Sequence, residues 1–441
     1  MNNQNKTKKN SVTRRDFVKT STAAVAALWA DQSRTYAAGS DKIRVGLIGC
    51  GGRGTGAGII DCARSAPGVE LVAIGDLFQD HIEAAPQRIK TKLRQNKLPV
   101  DDIYKVTPET TFVGFDAYKQ VIASDVDMVI LTTPPNFRPQ HLRAAVKAGK
   151  HVFVEKPVAV DPAGVRSVIE SADLAQQKGL TLVAGTQSRR MESYRETIQR
   201  IHNGAIGEIT GGQCVRFGGA MRTWRTDEKH QRTEWSDIEY YIRRWLFWTW
   251  LSGDFIVEMH VHGLDVMNWL LQAHPTQCLG IGGRQARTAP EYGNSFDHFT
   301  IEYEYPNGVR IGYMGTQIDK CSSRNNQQLA GSKGSAYLDS GNGIIKGANA
   351  FEFKQTSKNP AVLEYTEMID SIRQSKALNE GRQIAESTMT AILGRMSAYT
   401  GRALKWDWAM KASKLDLSPL TMAFGDMPAR PVAIPGVTTL I

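Results

Sequence analysis

Residues 45–54, VGLIGCGGRG, constrain the fold of this chain more than any other stretch. A short apolar run passes directly into a G-x-G-x-x-G turn made by Gly49, Gly51 and Gly54. In such a turn the first glycine permits the bend, the second lets the backbone approach a pyrophosphate, and the third lets the next helix pack closely. The helix start supplies amide donors and a positive dipole end. The sequence therefore predicts a dinucleotide site here, which Gly52 and Arg53 also line.

Short apolar runs alternate with amphipathic stretches from residue 42 to about residue 190. The apolar runs are KIRVGLIG, VELVAIGD, VDMVILTTP, HVFVEKP and LTLVAG. Helical patterns separate these runs, and they cover residues 54–65, 79–95, 138–148 and 162–178. Such alternation is typical of βαβ units. We therefore predict an α/β fold whose N-terminal domain, residues 40–190, is a Rossmann doubly wound parallel sheet.

Asp76 closes the second apolar run, where a dinucleotide-binding domain carries the acid that contacts the ribose. A carboxylate at this place accepts hydrogen bonds from the ribose hydroxyls and repels a 2′-phosphate. The sequence therefore favours NAD over NADP as cofactor. The alternative is that Asp76 only caps the following helix.

The pattern changes after residue 190, where strands dominate. The segments EITGGQCVRF, TQCLGIGGR, FDHFTIEYEYPNGVRIGYMGTQ and GSAYLDS favour strands, and Asn307-Gly308 suits the positive φ angles of a hairpin turn. We predict that residues 191–405 form a second domain of the α+β class. Its sheet should be largely antiparallel and open-faced.

An insert at residues 218–252 is rich in tryptophan and arginine. Aromatic rings stack on sugar C–H surfaces and arginines bind hydroxyls or carboxylates, so Trp245 is a candidate substrate contact. The alternative for the insert is a packed lid or a subunit contact. Residues 406–441 form a tail whose sequence MPARPVAIPG suggests an extended segment that wraps a neighbour.

The N-terminal sequence TRRDFVKTS indicates export by the twin-arginine route. A basic start, the short apolar run STAAVAALWA and the small-residue stretch TYAAG are typical of a removable signal, here residues 1–39. The apolar run is far shorter than the roughly 20 residues that span a bilayer, so we expect no stable membrane insertion. These features predict a periplasmic or otherwise exported protein, although a basic tail without a signal function is the alternative.

Charge and cysteine content argue against several classes of protein. The net charge is +10, and residues 1–40 supply half of it with seven Lys or Arg against two Asp. The remaining 47 basic and 42 acidic residues form no basic block, so we predict no nucleic-acid partner. The five cysteines lack metal-type spacing and indicate neither a metal site nor a disulfide framework.

Three motifs relate the chain to a known family. These are GLIGCGGRG, then TTPPNFRPQHLRAAVKAGKHVFVEKPVA, and later GDFIVEMHVHGLDVMNWL. With them, residues 42 to about 405 resemble the glucose–fructose oxidoreductase, inositol dehydrogenase and rhizopine-catabolism family of sugar dehydrogenases. The resemblance implies a carbohydrate substrate and a homo-oligomer, either a dimer or a tetramer. It also implies that residues 191–405 serve both substrate binding and oligomerisation.

The resemblance also implies roles for individual residues. Lys156 of the EKP motif would contact the nicotinamide ribose and the reacting hydroxyl, and His262 would be the acid/base. Departures from the family pattern are Glu258 for Asp, His260 for Gly and Gln187 for Asn. The further residues expected to bind cofactor are Thr132, Pro134, Glu155, Lys156 and Gln187. The residues expected to bind substrate are Lys156, Arg189, Trp245, Glu258, His262 and Asp265.

The chemistry of these residues suits oxidation of a secondary alcohol. The nicotinamide takes a hydride, and a histidine base such as His262 takes the hydroxyl proton near neutral pH. Lys156 would stabilise the developing alkoxide. If residues 256–271 form one helix, Glu258, His262 and Asp265 share a face, so that one carboxylate orients the imidazole and the other binds a hydroxyl.

Less specific interpretations of these residues remain open. His262 is otherwise a core histidine, and Asp265 is otherwise structural. A metal site from Glu258, His260 and His262 is disfavoured because positions i, i+2 and i+4 do not share one helix face, so no metal is predicted.

The sequence thus predicts an exported, NAD-dependent oxidoreductase that retains its cofactor and acts on a sugar, polyol or glycoside hydroxyl. A glycoside-cleaving enzyme that works by oxidation and elimination is the first alternative. A non-catalytic sugar-binding subunit is the second.

Overall fold

The structure is a computed structural model that describes residues 42–220, 235–354, 359–419 and 422–441. The predicted signal at residues 1–39 lies outside these residues, as do Trp224 and Arg225 of the insert. Among the described residues, no helix combines the length and apolarity that crossing a membrane requires.

The first domain is built around a six-stranded parallel sheet with strand order β3-β2-β1-β4-β5-β6. Its strands are β1 (Ile43–Ile48), β2 (Val69–Asp76), β3 (Thr111–Val113), β4 (Met128–Leu131), β5 (His151–Val154) and β6 (Leu182–Ala184). Its helices are a π turn (Gly54–Gly58) that continues as α1 (Ile59–Ser65), then α2 (Gln79–Gln95), α3 (Val100–Ile103), α4 (Ala117–Ala123), α5 (Arg138–Lys147) and α6 (Pro162–Gln177). The predicted Rossmann sheet is therefore confirmed.

The periodic pattern did not predict the three elements β3, α3 and α4. Thr111–Val113 is a three-residue strand at the sheet edge, and none of its residues is fully buried. An edge strand of this length needs no apolar run, so it leaves little signal in the sequence. The four helical segments that the pattern did predict match the structure to within one residue at their ends.

The second domain contains a nine-stranded sheet with strand order β14-β13-β12-β11-β7-β10-β9-β8-β15. Its strands are β7 (Ile209–Gly218), β8 (Gln277–Gly283), β9 (His298–Glu304), β10 (Arg310–Gln317), β11 (Arg324–Gly331), β12 (Gly334–Leu338), β13 (Gly343–Gly347), β14 (Phe351–Glu352) and β15 (Leu404–Lys405). All neighbours pair antiparallel except β7 and β10, which are parallel. Asn307 and Gly308 turn the β9–β10 hairpin with φ angles of 66° and 77°, as predicted.

Three helices pack against one face of this second sheet, namely α7 (Glu192–His202), α11 (Val261–Leu271) and α13 (Gly381–Thr400). The other helices after β6 are α8 (Asp237–Arg243), α9 (Thr249–Ser252), α10 (Phe255–Glu258), α12 (Pro360–Arg373) and α14 (Trp406–Lys411). Of these, α12 packs on α1 and β6 of the first domain. The long helix α13 contacts α6 of the first domain as well as β8 and α11. The opposite face exposes Leu279 and Ile281, whose exposed fractions are 54% and 60%. One face is thus packed and the other open, as expected for an open-faced sheet.

The insert and the tail share a second apolar core at the carboxyl edge of the Rossmann sheet. Phe78 follows β2 and Phe137 follows β4, and both pack with Tyr241 and Trp248 of the insert and with Leu417 of the tail. The predicted tail does not begin as an extended segment, because Trp406–Lys411 form the helix α14. The described residues after Ala412 are irregular, and Leu417 packs in the second apolar core of the same chain.

Candidate active site

The glycine-rich turn has the geometry that its motif predicts. Gly49 has a φ angle of 99°, which strongly favours glycine. A Cβ at Gly54 would overlap the carbonyl oxygen of Gly49, so only glycine lets the helix approach this closely. By contrast, a Cβ at Gly51 or Gly52 would meet nothing within 4 Å. The outer side of the turn is thus open, where a pyrophosphate would approach the backbone.

Asp76 lies at the end of β2 and braces this turn. Its Oδ2 accepts a hydrogen bond from the Cys50 amide at 2.6 Å, and its Oδ1 accepts one from the Phe78 amide at 2.9 Å. His81 Nδ1 lies 3.0 Å from the same Oδ1. The acid therefore joins the end of β2 to the glycine turn in addition to its predicted contact with a ribose.

The loop after β4 contacts the same glycine turn. Thr132 Oγ1 donates to the carbonyl oxygen of Gly49 at 2.7 Å, so this hydroxyl holds the glycine turn. Pro134 precedes a single 3₁₀ turn, Pro135–Phe137. Gln187 is the partly buried first residue of the 3₁₀ turn after β6. These predicted cofactor residues all follow strand ends at the carboxyl edge of the sheet.

Arg53 and Glu155 bond to each other. Arg53 Nε donates to Glu155 Oε1 at 2.6 Å, and Glu155 is buried while Arg53 is partly exposed. This pair ties the glycine turn to the EKP loop. A guanidinium with an exposed side next to the turn remains available to a phosphate.

Lys156 links the first domain to the second. Its Nζ donates to the Glu258 carbonyl oxygen at 2.6 Å and lies 3.0 Å from Glu258 Oε1. Both side chains are largely buried, with exposed fractions of 13% and 10%. The other carboxylate oxygen of Glu258, Oε2, is buried and has no partner among the described residues.

The segment that carries His262 is not the single helix that the sequence predicted. The helix α10 ends at Glu258 and α11 begins at Val261, so Glu258 and Asp265 lie on different helices. Asp254, with a φ angle of 72°, starts α10 and accepts hydrogen bonds from the Phe255 amide at 2.5 Å and the Tyr399 hydroxyl at 2.5 Å. Burial raises the pKa of Asp254 to about 6. This acid, which the sequence analysis missed, fixes the direction of the chain that leads to Glu258.

His262 is partly buried, and its Nδ1 atom is buried without a hydrogen-bond partner among the described residues. Burial, together with the positive charges of Lys156 and Arg216, holds the pKa of this imidazole well below its usual value. The ring is therefore neutral near pH 7, and a neutral imidazole has a nitrogen that accepts a hydrogen bond.

His260 has a different environment two residues away. It is buried, and its Nδ1 lies 2.6 Å from the Tyr313 hydroxyl. Its ring also meets Phe255 edge-on with a centroid distance of 4.9 Å. His260 is thus satisfied by the packed face of the sheet.

Two further predicted substrate residues pair with each other. Arg189 donates to both carboxylate oxygens of Asp265 at 2.9 Å, and the Ser387 hydroxyl donates to Asp265 Oδ1 at 2.8 Å. No hydrogen bond joins Asp265 or Glu258 to His262 among the described residues. Trp245 packs at the margin of the second apolar core.

Arg216 is a site residue that the sequence analysis did not single out. It lies on β7 within CVRF, and its Nη1 donates to the Met259 carbonyl oxygen at 2.7 Å. It thereby supports the turn between α10 and α11, and its charge lowers the pKa of both His260 and His262. One arginine on a strand carries no local signal of such a role, because its partner belongs to another element.

Comparison with known families supports this architecture. Residues 43–186 match the NAD-binding Rossmann fold of the GFO/IDH/MocA oxidoreductase family, and residues 194–337 match the GFO/IDH/MocA C-terminal domain.

Curated relatives show moderate identity over part of the chain. A 2,7-anhydro-N-acetylneuraminate hydratase of Escherichia coli is 28% identical over 42% of this chain and 44% of its own length. A glycosyl hydrolase family 109 protein of Streptomyces coelicolor is 27% identical over 62% of this chain and 53% of its own length. Inositol 2-dehydrogenase 3 of Saccharopolyspora erythraea is 25% identical over 61% of this chain and 65% of its own length. The chain spans about half the length of the curated relatives it matches.

Solved structures show the same fold at low identity. An aldose-aldose oxidoreductase from Caulobacter crescentus is 18% identical with a TM-score of 0.62, covering 82% of this chain and 99% of its own. A scyllo-inositol dehydrogenase from Lactobacillus casei with bound NAD(H) and scyllo-inositol is 16% identical with a TM-score of 0.59, again covering 82% and 99%. A 3-ketoreductase from Actinomadura kijaniata in complex with NADP is 15% identical with a TM-score of 0.61, covering 81% and 98%. With both of its domains matched, the chain belongs to the GFO/IDH/MocA family of NAD-binding oxidoreductases.

Proposed function

We propose that this protein is an exported, NAD-dependent oxidoreductase that transfers a hydride between a tightly bound cofactor and a sugar, polyol or glycoside hydroxyl. The observation that carries the proposal is the bond between Lys156 and Glu258, with His262 near enough for the charge of Lys156 to lower the pKa of its imidazole. Glu258 Oε2 and His262 Nδ1 are buried there and have no partner among the described residues. Unsatisfied buried polar atoms are costly, so we infer that substrate hydroxyls complete them.

The residues around the glycine turn fit a dinucleotide. The open side of Gly51 and Gly52 leaves space for phosphates against backbone amides, and Arg53 adds a partly exposed charge. Asp76 at the end of β2 suits ribose hydroxyls and disfavours a 2′-phosphate, which supports NAD over NADP. When bound, the nicotinamide accepts a hydride from the substrate carbon and returns one in the reverse reaction.

The chain itself handles the proton and the developing charge. His262, neutral because its pKa is lowered, accepts the proton of the reacting hydroxyl. Lys156, held by the carbonyl and carboxylate oxygens of Glu258, places a positive charge where the alkoxide develops. Glu258 Oε2 accepts a hydrogen bond from a neighbouring hydroxyl and so orients the ring of the substrate.

Cofactor retention would reconcile a dinucleotide site with export. Free NAD is scarce outside the cytoplasm, and the twin-arginine route carries folded proteins, so the cofactor would be bound before export. A retained cofactor must be re-oxidised in place, either by a second sugar or by returning the hydride within one catalytic cycle.

The first test is the analysis of protein purified without added cofactor. We expect denaturation to release close to one NAD(H) per chain, and a panel of sugars and polyols to change the NADH absorbance of the bound cofactor. Lys156→Ala should abolish the sugar-dependent change, while Lys178→Ala, at an exposed lysine after α6, should leave it intact. A protein that binds no NAD(P) and oxidises no carbohydrate would overturn the proposal.

The glycoside-cleaving alternative has one supporting observation, which is the similarity to several glycosyl hydrolase family 109 proteins. It predicts release of an aglycone from a chromogenic glycoside without net accumulation of NADH. The same protein preparation can therefore decide between the two reactions.

A further inference from the structure

Three aromatic rings meet just beyond the carboxyl ends of β2 and β3. Phe78 and Phe424 are stacked with a centroid distance of 6.1 Å and an interplanar angle of 16°. Phe115 and Phe424 lie 5.1 Å apart. We call Phe78, Phe115 and Phe424 the aromatic clasp. Two of its rings belong to the Rossmann domain and the third belongs to the C-terminal tail.

The aromatic clasp is attached directly to the predicted ribose-binding acid. The Phe78 amide donates to Asp76 Oδ1 at 2.9 Å. Asp76 is paired in register with Val113, the last residue of β3, and Phe115 follows two residues later. A ribose held by Asp76 therefore places its attached base within reach of these rings.

The insert supports the aromatic clasp from one side. The guanidinium of Arg243 on α8 lies 3.9 Å from the Phe78 ring centroid. The same guanidinium donates to Asp80 at 3.0 and 3.2 Å and to Glu239 at 2.9 Å. A charged group with this many partners is fixed in position, so one side of Phe78 is covered by the insert.

The tail is fastened to the start of α8 immediately after Phe424. The Ile238 amide donates to the Gly425 carbonyl oxygen at 3.2 Å, and the Gly425 amide donates to the Ser236 hydroxyl at 3.2 Å. Two residues on, Met427 accepts from the Tyr241 hydroxyl at 3.0 Å and donates its amide to Asp237 at 3.1 Å. The backbone that follows Phe424 is thus bonded to the start of α8, which fixes the position of the Phe424 ring.

Phe424 nevertheless keeps 45% of its surface exposed. An apolar ring that is anchored beside two other aromatic rings, yet half exposed, offers a surface for a flat apolar group. The adenine ring of a dinucleotide has this shape, and stacking of a base on an aromatic side chain is strongly stabilising.

We propose that Phe424, backed by the buried ring of Phe78 and flanked by Phe115, forms the adenine-binding wall of the cofactor site, and that this tail residue slows release of NAD. This inference rests on the proposed function, since it assumes that Asp76 holds the adenosine ribose of NAD. Release of the cofactor then requires residues 422–427 to leave α8, which breaks the hydrogen bonds described above. The tail would be the element that turns a common dinucleotide fold into one that retains its cofactor.

The test compares three single variants of the full chain. Protein loaded with NAD is transferred into cofactor-free buffer, and release is followed by the loss of protein-bound NAD with time. Phe424→Ala should release NAD about tenfold to a hundredfold faster than wild type, as expected for the loss of one stacking side chain. Phe424→Tyr should restore most of the retention. Val437→Ala, at a tail residue that is 73% exposed, is the matched control and should not change the rate.

Thermal unfolding would first verify that wild type and Phe424→Ala are both folded. Equal rates of NAD release from these two proteins would then overturn the role of the tail. The proposed function fails in a different way. If wild type retains NAD but oxidises no carbohydrate, the oxidoreductase proposal is wrong while the release rates still decide the role of the clasp. If wild type binds no NAD under any condition, both proposals fall.

Discussion

His262 and His260 allow the proposed chemistry to be separated from folding. The two imidazoles are two residues apart, and burial lowers the pKa of both. Their hydrogen bonding differs, because His260 bonds to the Tyr313 hydroxyl while His262 Nδ1 has no partner among the described residues. Removing each ring should therefore affect a different property of the protein.

We expect His262→Ala to lower the rate of single-turnover hydride transfer by about 10²- to 10⁴-fold, the usual contribution of general acid–base catalysis. That range corresponds to about 3–5 kcal/mol of activation free energy. The unfolding free energy should change by less than about 1 kcal/mol, because no hydrogen bond to another described residue is lost. Bound NAD should stay near the wild-type level.

His260→Ala should show the reverse pattern. It removes a buried ring and leaves the Tyr313 hydroxyl unpaired, which should cost about 3 kcal/mol of unfolding free energy. Rapid mixing of NAD-loaded protein with substrate, with NADH formation as readout, would be combined with thermal unfolding of both variants. If folded His262→Ala retains NAD and transfers hydride at the wild-type rate, His262 is not the base.

Asp76→Ala should weaken NAD binding about ten- to a hundredfold and reduce the preference over NADP, which titration with both cofactors would reveal; a wild-type preference for NADP would contradict this role. Gly51→Ala should leave the melting temperature unchanged yet impair cofactor binding, because its Cβ meets only the space where the pyrophosphate would lie. Gly54→Ala should lower both the melting temperature and the affinity for the cofactor, because its Cβ would overlap the Gly49 carbonyl oxygen. Burial lowers the pKa of His141 from 6.5 to about 3 in the folded protein. The unfolded chain therefore binds a proton at His141 at a higher pH than the folded chain does, so the contribution of the neutral ring to the unfolding free energy is complete above pH 6.5 and is lost as the pH falls toward 3. Relative to His141→Phe, wild type should lose about 3 kcal/mol of unfolding free energy between pH 7 and about pH 4.5, and parallel pH profiles would contradict this reasoning.

The sequence was sufficient for those features that a local pattern encodes. The glycine spacing predicted the turn at Gly49 and the close helix packing at Gly54, since each depends on steric limits within a few residues. Apolar runs predicted the parallel strands because a strand buried on both faces must be apolar throughout. The turn at Asn307-Gly308 followed from the few residue types that tolerate positive φ.

Contacts between distant segments were decided only by the tertiary structure. The bond between Lys156 and Glu258 joins residues 102 positions apart, as does the pair of Arg53 and Glu155. Helical periodicity assigned Glu258 to the helix of His262, but a turn supported by a β7 arginine separates them. A sequence does not distinguish a surface carboxylate from one that is paired with a residue of another domain. The energy of an ion pair depends on its burial and on a partner from elsewhere in the chain, and neither is encoded locally.

The tail shows most clearly what local sequence determines and what tertiary packing determines. Its prolines and glycines predict an extended segment, since they oppose helix formation, and the described residues after α14 are irregular. Whether that segment wraps a neighbour or its own chain depends on which apolar surface it covers. In the structure Phe424 meets Phe78 and Phe115 of the same chain, because α8 offers backbone and hydroxyl partners at the right place. Local sequence determines the conformation that such a segment adopts, and packing between distant parts of the chain determines where it lies.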